Sequence, residues 1–188
     1  MFGDDREASR AVRHMRAAHR RVVGPGYSAT DPELQFWVHA TVVDTALVVY
    51  ERFLSPLTAD DAERYYQDSI RVAEALGVPR SAQPADAAAF RAYVDGMVAA
   101  LEVSDEARDL SQAILRPRTP WPLTPWLVGV RQLTVGLLPD RLRRQFGLSW
   151  DRPRQAVFAA AEVTARQLLP RIPVDLRRLP AALLVAAA

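Results

Sequence analysis

Three histidines, His14, His19 and His39, are the side chains of this 188-residue chain best suited to hold or activate something. Cysteine is absent, which excludes disulfides, thiolate nucleophiles, Cys-ligated zinc or iron–sulfur clusters and Cys-ligated haem. Any metal must therefore use histidine, carboxylate or weaker donors. His14 and His19 lie about 140° apart on a helix of ~3.6 residues per turn, so they cannot grip one ion from a single face. There is no HExxH pattern, no recognisable context for a nucleophilic triad, and Gly24-Pro25-Gly26 has neither P-loop nor dinucleotide-loop spacing. What three scattered histidines still permit is a metal that brings its own equatorial ligands. A b-type haem supplies four nitrogens and asks the protein for one axial imidazole.

The helices that position these residues are legible from periodicity. Ala8, Ala11, Val12, Met15, Ala18, His19 and Val22 recur at spacings of three and four, which predicts one buried stripe, with Arg6, Arg10, Arg13, Arg16 and Arg20 on the opposite face. His19 therefore points inward and His14 lies on the arginine flank. Two readings of His19 stand: an axial haem ligand, or a core histidine bonded to a backbone carbonyl. Gly24-Pro25-Gly26 ends this helix, and Thr30-Asp31-Pro32-Glu33 opens the next with an N-cap, a first-turn proline and a glutamate. That second helix runs from about Pro32 to Leu54 and is apolar on three sides, which predicts a central helix. It carries His39, Thr41 and Asp44, polar groups that must be satisfied internally or by a ligand. His39 is thus a distal group near a ligand or a polar crosslink. Asp44 and Glu51 are expected to pair with arginines of the first helix or of the Arg141 to Arg144 cluster. Tyr65, Tyr66 and Tyr93 are expected in the core with exposed hydroxyls.

Further helices are expected from Thr58 to Gly77, through Phe90 to Leu101, from Ser104 to about Leu115, from Thr124 to about Leu138, briefly from Pro139 to Phe146, and from about Arg152 to Leu169. A proline-containing loop spans Arg116 to Thr124. No segment alternates with period two, so the expected fold is all-α: one domain over residues 1–188, a helical bundle of about seven to nine helices.

The string opening Phe2-Gly3-Asp4 and continuing through HRRVVG (19–24), YSATDPELQFWVHATVVDT (27–45) and Leu76-Gly77-Val78-Pro79, with GLLPDRLRRQFGLSW (136–150), resembles the family of MpaB-type oxygenases and the rubber oxygenase (latex clearing protein) catalytic domain. The resemblance covers nearly the whole chain. It implies an α-helical, haem b-dependent oxygenase acting with dioxygen on an apolar substrate, with His19, in its H-x-x-V context, as the proximal haem ligand and His39 and Thr41 in the pocket. It also implies further helices ahead of the point matched by Met1, so that the chain corresponds to the C-terminal two-thirds of the catalytic domain. Apolar surface left open by that missing part would favour self-association. The alternative is a non-catalytic helical binding or interaction module with an apolar cavity lined by the His39 helix.

Composition narrows the partners. All 24 basic residues are arginine, lysine and asparagine are absent, and the net charge is +2. A G+C-rich genome accounts for that usage, and so small a net charge does not argue for nucleic acid. No apolar run reaches the ~20 residues of a membrane span. The Gly3-Asp4-Asp5-Arg6-Glu7 start reads as cytoplasmic rather than as a signal peptide.

Overall fold

A computed structural model describes residues 5–117 and 124–173. The Phe2-Gly3-Asp4 string, most of the proline-containing loop and the apolar run from Leu179 to Ala188 lie outside the described residues. The fold is all-α, as expected. Its helices are α1 (Asp5–His19), α2 (Pro32–Phe53), α3 (Ala59–Leu76), α4 (Ala87–Ala100), α5 (Asp105–Leu115), α6 (Thr124–Leu137), α7 (Asp140–Gln145) and α8 (Arg152–Leu168), with single 3₁₀ turns at Arg80–Ala82 and Leu169–Arg171.

Polar caps set these boundaries. Asp31 Oδ1 accepts from the backbone N–H of Glu33 at 2.9 Å, opening α2. Thr58 and Asp61 cap one another at the start of α3, and Ser104 and Asp151 accept from Ala107 and Arg154 to open α5 and α8. Gly77 ends α3 at φ 112°, a left-handed conformation that only glycine adopts without strain. One element escaped the sequence reading. Val23–Gly24 (β1) and Tyr27–Ser28 (β2) form a two-residue antiparallel hairpin, closed by Pro25 and by Gly26 at φ 79°. A proline followed by a positive-φ glycine is the type II turn signature, but strands of two residues are too short to show a period.

The chain forms two compact units, Met1–Leu47 with Leu57–Met97, and Val48–Pro56 with Val98–Ala188. The first is built on Phe36, Ala40, Val43 and Leu47 of α2, Tyr66, Ile70 and Ala73 of α3, Val78, and Phe90 and Val94 of α4, all buried. Tyr66 stacks on Phe90 with ring centroids 4.7 Å apart, and Phe36 meets Tyr93 at 5.0 Å. In the second unit Phe158 is the hub. Its ring receives Phe53 at 5.7 Å and Trp150 at 5.8 Å edge-on, and the Arg52 guanidinium lies 5.4 Å from its centroid.

Two expectations about apolar faces are corrected. The α1 stripe is not buried: Ala11, Met15, Ala18 and Val22 are exposed, while the half-covered positions are Val12, Ala17 and His19. α1 packs on α3, and periodicity identifies an apolar face without saying whether a partner covers it. Helix α2 is central along one row only. Opposite that row, Leu34, Val38 and Val42 are exposed, Val42 at 63%.

Candidate functional site

His19 is half-buried at the last position of α1. Neither of its ring nitrogens has a hydrogen-bond partner among the described residues. Among those residues, then, no backbone carbonyl holds it. Met15, one turn earlier and 43% exposed, gives it an apolar neighbour on the same face. His14 is fully on the exposed side.

His39 has a different environment. It is half-buried, and its Nε2 donates to the Ser69 carbonyl of α3 at 3.1 Å. Desolvation pushes its pKa below the ordinary histidine value, with the Ser69 bond opposing. It is a polar crosslink between α2 and α3, one of the two alternatives open in the sequence. Thr41 is turned about 200° from His39 by helix geometry, and its hydroxyl donates to the Val38 carbonyl of its own helix at 2.8 Å. The pocket pair expected from the sequence is thus divided between two sides of α2.

Asp44, three residues on from Thr41, shares that residue's side of α2. Burial raises its pKa, the Asp95 carboxylate raises it further, and Arg91 lowers it, so its charged neighbours come from α4 and not from α1 or the Arg141 to Arg144 cluster. In that cluster Arg143 pairs with Asp140 and lies over Trp150 at 4.8 Å, and Arg141 donates to the Leu101 carbonyl. Tyr66 is also corrected: its hydroxyl is buried and donates to the Pro84 carbonyl at 2.8 Å, and burial pushes its pKa up to about 12.

Among the described residues each unit has a cavity. One, of about 280 Å³, opens where Arg16 of α1, Arg20 just past it, Thr30, Gln35 of α2, and Leu76 and Gly77 at the end of α3 converge. The other, of about 440 Å³, is almost wholly apolar and lies between α6 and α8, lined by Val128, Gly129, Leu133, Val157 and Phe158 among others. It holds no histidine, and it is not the cavity expected along the His39 helix. Sequence patterning missed both, because each is assembled from residues far apart in the chain. Among the described residues no group of three or more His, Asp or Glu side chains is placed to hold a metal ion. No helix among them is long and apolar enough to cross a membrane.

Comparison with known proteins gives the chain relatives but no solved template. It is 31% identical over 152 residues to the uncharacterized protein Rv2237 of Mycobacterium tuberculosis and to the uncharacterized protein Mb2261 of Mycobacterium bovis. Each alignment covers 75% of this chain and 58% of the relative, so the chain spans little more than half the length of the curated relatives it matches. No solved structure matches it. Residues 1–183 match the family described as the ER-bound oxygenase mpaB/B'/rubber oxygenase catalytic domain. The open imidazole on α1 and the helical scaffold around it therefore belong to a member of the MpaB and rubber oxygenase catalytic-domain family.

Proposed function

We propose that the chain is the helical part of a haem b-dependent oxygenase in which His19 is the axial ligand, acting with dioxygen on an apolar substrate. The observation that carries this reading is the His19 imidazole, half-buried and without a hydrogen-bond partner among the described residues, in a chain whose family is an oxygenase catalytic domain. The donor set fits the group. No cluster of metal-binding side chains is present among the described residues, so a metal that carries its own equatorial nitrogens and needs a single imidazole is the kind these residues suit.

When bound, haem supplies the redox chemistry that activates dioxygen. The chain's own residues do the rest. His19, in the last turn of α1, would hold the group through a ring nitrogen. Met15 and Val22, exposed at 43% and 45%, would offer apolar surface to the bound group. His39 and Thr41 act from α2, His39 by fixing α2 against α3 through Ser69. The exposed row Leu34, Val38 and Val42 is the surface through which copies of the chain associate, a point that sedimentation of the wild type against Val42→Glu tests: a shift toward monomer in the variant is expected, and equal sedimentation overturns it.

The test of the haem reading is an absorption spectrum of the protein expressed with haem supply, oxidised and reduced, alongside His19→Ala and His14→Ala. A Soret band that His19→Ala removes and His14→Ala leaves in place is expected. An unchanged spectrum in His19→Ala overturns the ligand assignment. The apolar cavity between α6 and α8 favours a second reading, a non-catalytic module that binds a small apolar ligand, since its volume is within the range of ligand pockets. A folded chain that takes up no haem but binds an apolar fluorescent probe, lost on Gly129→Leu, supports it.

A further inference from the structure

The cavity where α1, α2 and the end of α3 converge has a chemistry that the proposed oxygenase reading does not use. Its basic lining residues are Arg16 on α1 and Arg20 in the turn just past the end of that helix, where the Arg20 amide donates to the Arg16 carbonyl at 3.2 Å, so both side chains reach the same cavity. Like charges at this spacing repel. Elsewhere Arg52, Arg64, Arg108, Arg143 and Arg154 each pair with a carboxylate, but among the described residues no carboxylate pairs with Arg16 or Arg20, and neither guanidinium donates to a carbonyl.

The rest of the lining is Thr30, Gln35, Gly77 and the apolar Leu76. Gln35 is anchored by donating from Nε2 to the Ala29 carbonyl at 2.9 Å, which holds the α2 wall in place. The Thr30 hydroxyl sits at the rim, hydrogen-bonded to Ser28 Oγ at 2.8 Å. Gly77 lines the space without a side chain. A Cβ built on it would stand 3.7 Å from both Arg16 Nη2 and Gln35 Oε1, so the guanidinium and the amide face the same small space.

We propose that Arg16, Arg20 and Thr30, set against Gln35 and Gly77, form a binding site for an oxyanion, a carboxylate or phosphate group. Two forked guanidinium donors and a hydroxyl converging on a concave space are the donor set that planar or tetrahedral oxyanions take. A bound anion removes the repulsion between the two arginines, so α1 is held more firmly against α3 when the site is filled. The carboxylate or phosphate can come free from solution or on a larger apolar ligand.

The experiment is titration of the haem-free full chain at low ionic strength with inorganic phosphate and, separately, with octanoate, followed by calorimetry and by the thermal midpoint. Saturable binding is expected, with Arg16→Gln and Arg20→Gln each weakening it at least about fivefold and Arg13→Gln, outside the cavity, leaving it intact. Tighter phosphate than octanoate assigns the site to a free anion, and the reverse assigns it to a carboxylated apolar ligand. Where an arginine variant loses its fold, Thr30→Val provides the same test with both charges kept, and a weakening of about twofold or more is expected. A response that only follows ionic strength, or that Arg13→Gln weakens equally, overturns the proposal and leaves the two arginines as partners of the helix C-termini. Because no haem is present, the outcome is independent of the His19 assignment.

Discussion

His39→Ala separates the crosslink from a ligand-holding role, and its magnitude can be worked from the contacts. The substitution removes the Nε2 to Ser69 bond of 3.1 Å, a part-buried neutral hydrogen bond with a net contribution of about 1 kcal/mol. It also strips roughly half of one ring's burial, which contributes about another 1 kcal/mol. The Ser69 carbonyl is not orphaned, because within α3 it remains the acceptor for the amide four residues on. The expected loss is therefore about 2 kcal/mol and not the larger penalty of an unpaired buried group. The pH dependence follows from the lowered pKa of His39. A histidine whose folded pKa is depressed stabilises the fold fully above its ordinary value near 6.5, and that contribution is lost as pH falls through the folded value. Urea unfolding of wild type and His39→Ala at pH 7.5 and pH 5 measures both effects. The gap between the two proteins should be largest at pH 7.5 and narrow at pH 5. A variant as stable as wild type at pH 7.5, or a gap independent of pH, would refute the crosslink; loss of haem uptake at unchanged apo stability would place His39 at the ligand instead.

Substitutions at three further residues test the packing. Tyr66→Phe should cost only about 0.5–1 kcal/mol, because the Pro84 carbonyl keeps Arg80 Nη1 at 3.0 Å, whereas Tyr66→Ala, which empties the stack on Phe90, should cost about 3–5 kcal/mol; equal losses in urea unfolding would contradict this. Gly136→Ala brings a methyl group to 2.3 Å from the Phe158 ring, so a loss of at least about 1–3 kcal/mol is expected, visible as a lowered thermal midpoint, and a neutral variant would mean that the Phe158 hub is not packed as described. Asp44, with its pKa raised by burial and by Asp95, stabilises the fold while protonated, below its ordinary value near 3.8, and loses that contribution as pH rises through the folded value. Asp44→Asn should therefore be more stable than wild type at pH 7, by less than about 1 kcal/mol because half the group is in solvent and Arg91 offsets part of the cost, with the gain vanishing near pH 3; a destabilised variant would show that the Arg91 attraction dominates.

The sequence made the helices legible and their coverage illegible. Boundaries came from local chemistry that acts within a few residues: the reciprocal Thr58 and Asp61 pair, Ser104 and the left-handed Gly77 stand where their types suggested, whereas α2 is capped by Asp31 and not by Thr30. The three-sided apolarity of α2 and the stripe of α1 were real, but periodicity cannot say which faces meet a neighbour. In this chain Val38, Val42 and Met15 do not. For the site, the inventory of histidines led to His19 and His39, but only geometry distinguished an imidazole with two open nitrogens from one tied to Ser69. Neither Asp44 with Arg91 and Asp95 nor the Arg16 cavity left a trace in spacing, because the groups involved come from different helices.

The placement of open and satisfied polar groups gives the first unit a division of labour. Along α2, the polar side chains on the buried flank are engaged: His39 with Ser69, and Gln35 with Ala29. These bonds fix α2 against α3 and the preceding turn, and they leave little to offer a ligand. At the C-terminal end of α1 the opposite holds, since His19, Arg16 and, just past the helix, Arg20 carry strong donor or ligand atoms with no protein partner among the described residues. The same helix is exposed along Ala11, Met15 and Ala18. Polar atoms kept unpaired on a helix end that packs on only part of its surface contribute to function more than to folding. The rigid α2 and α3 pair is thus the scaffold, and the last turn of α1 is where that scaffold presents its unspent chemistry.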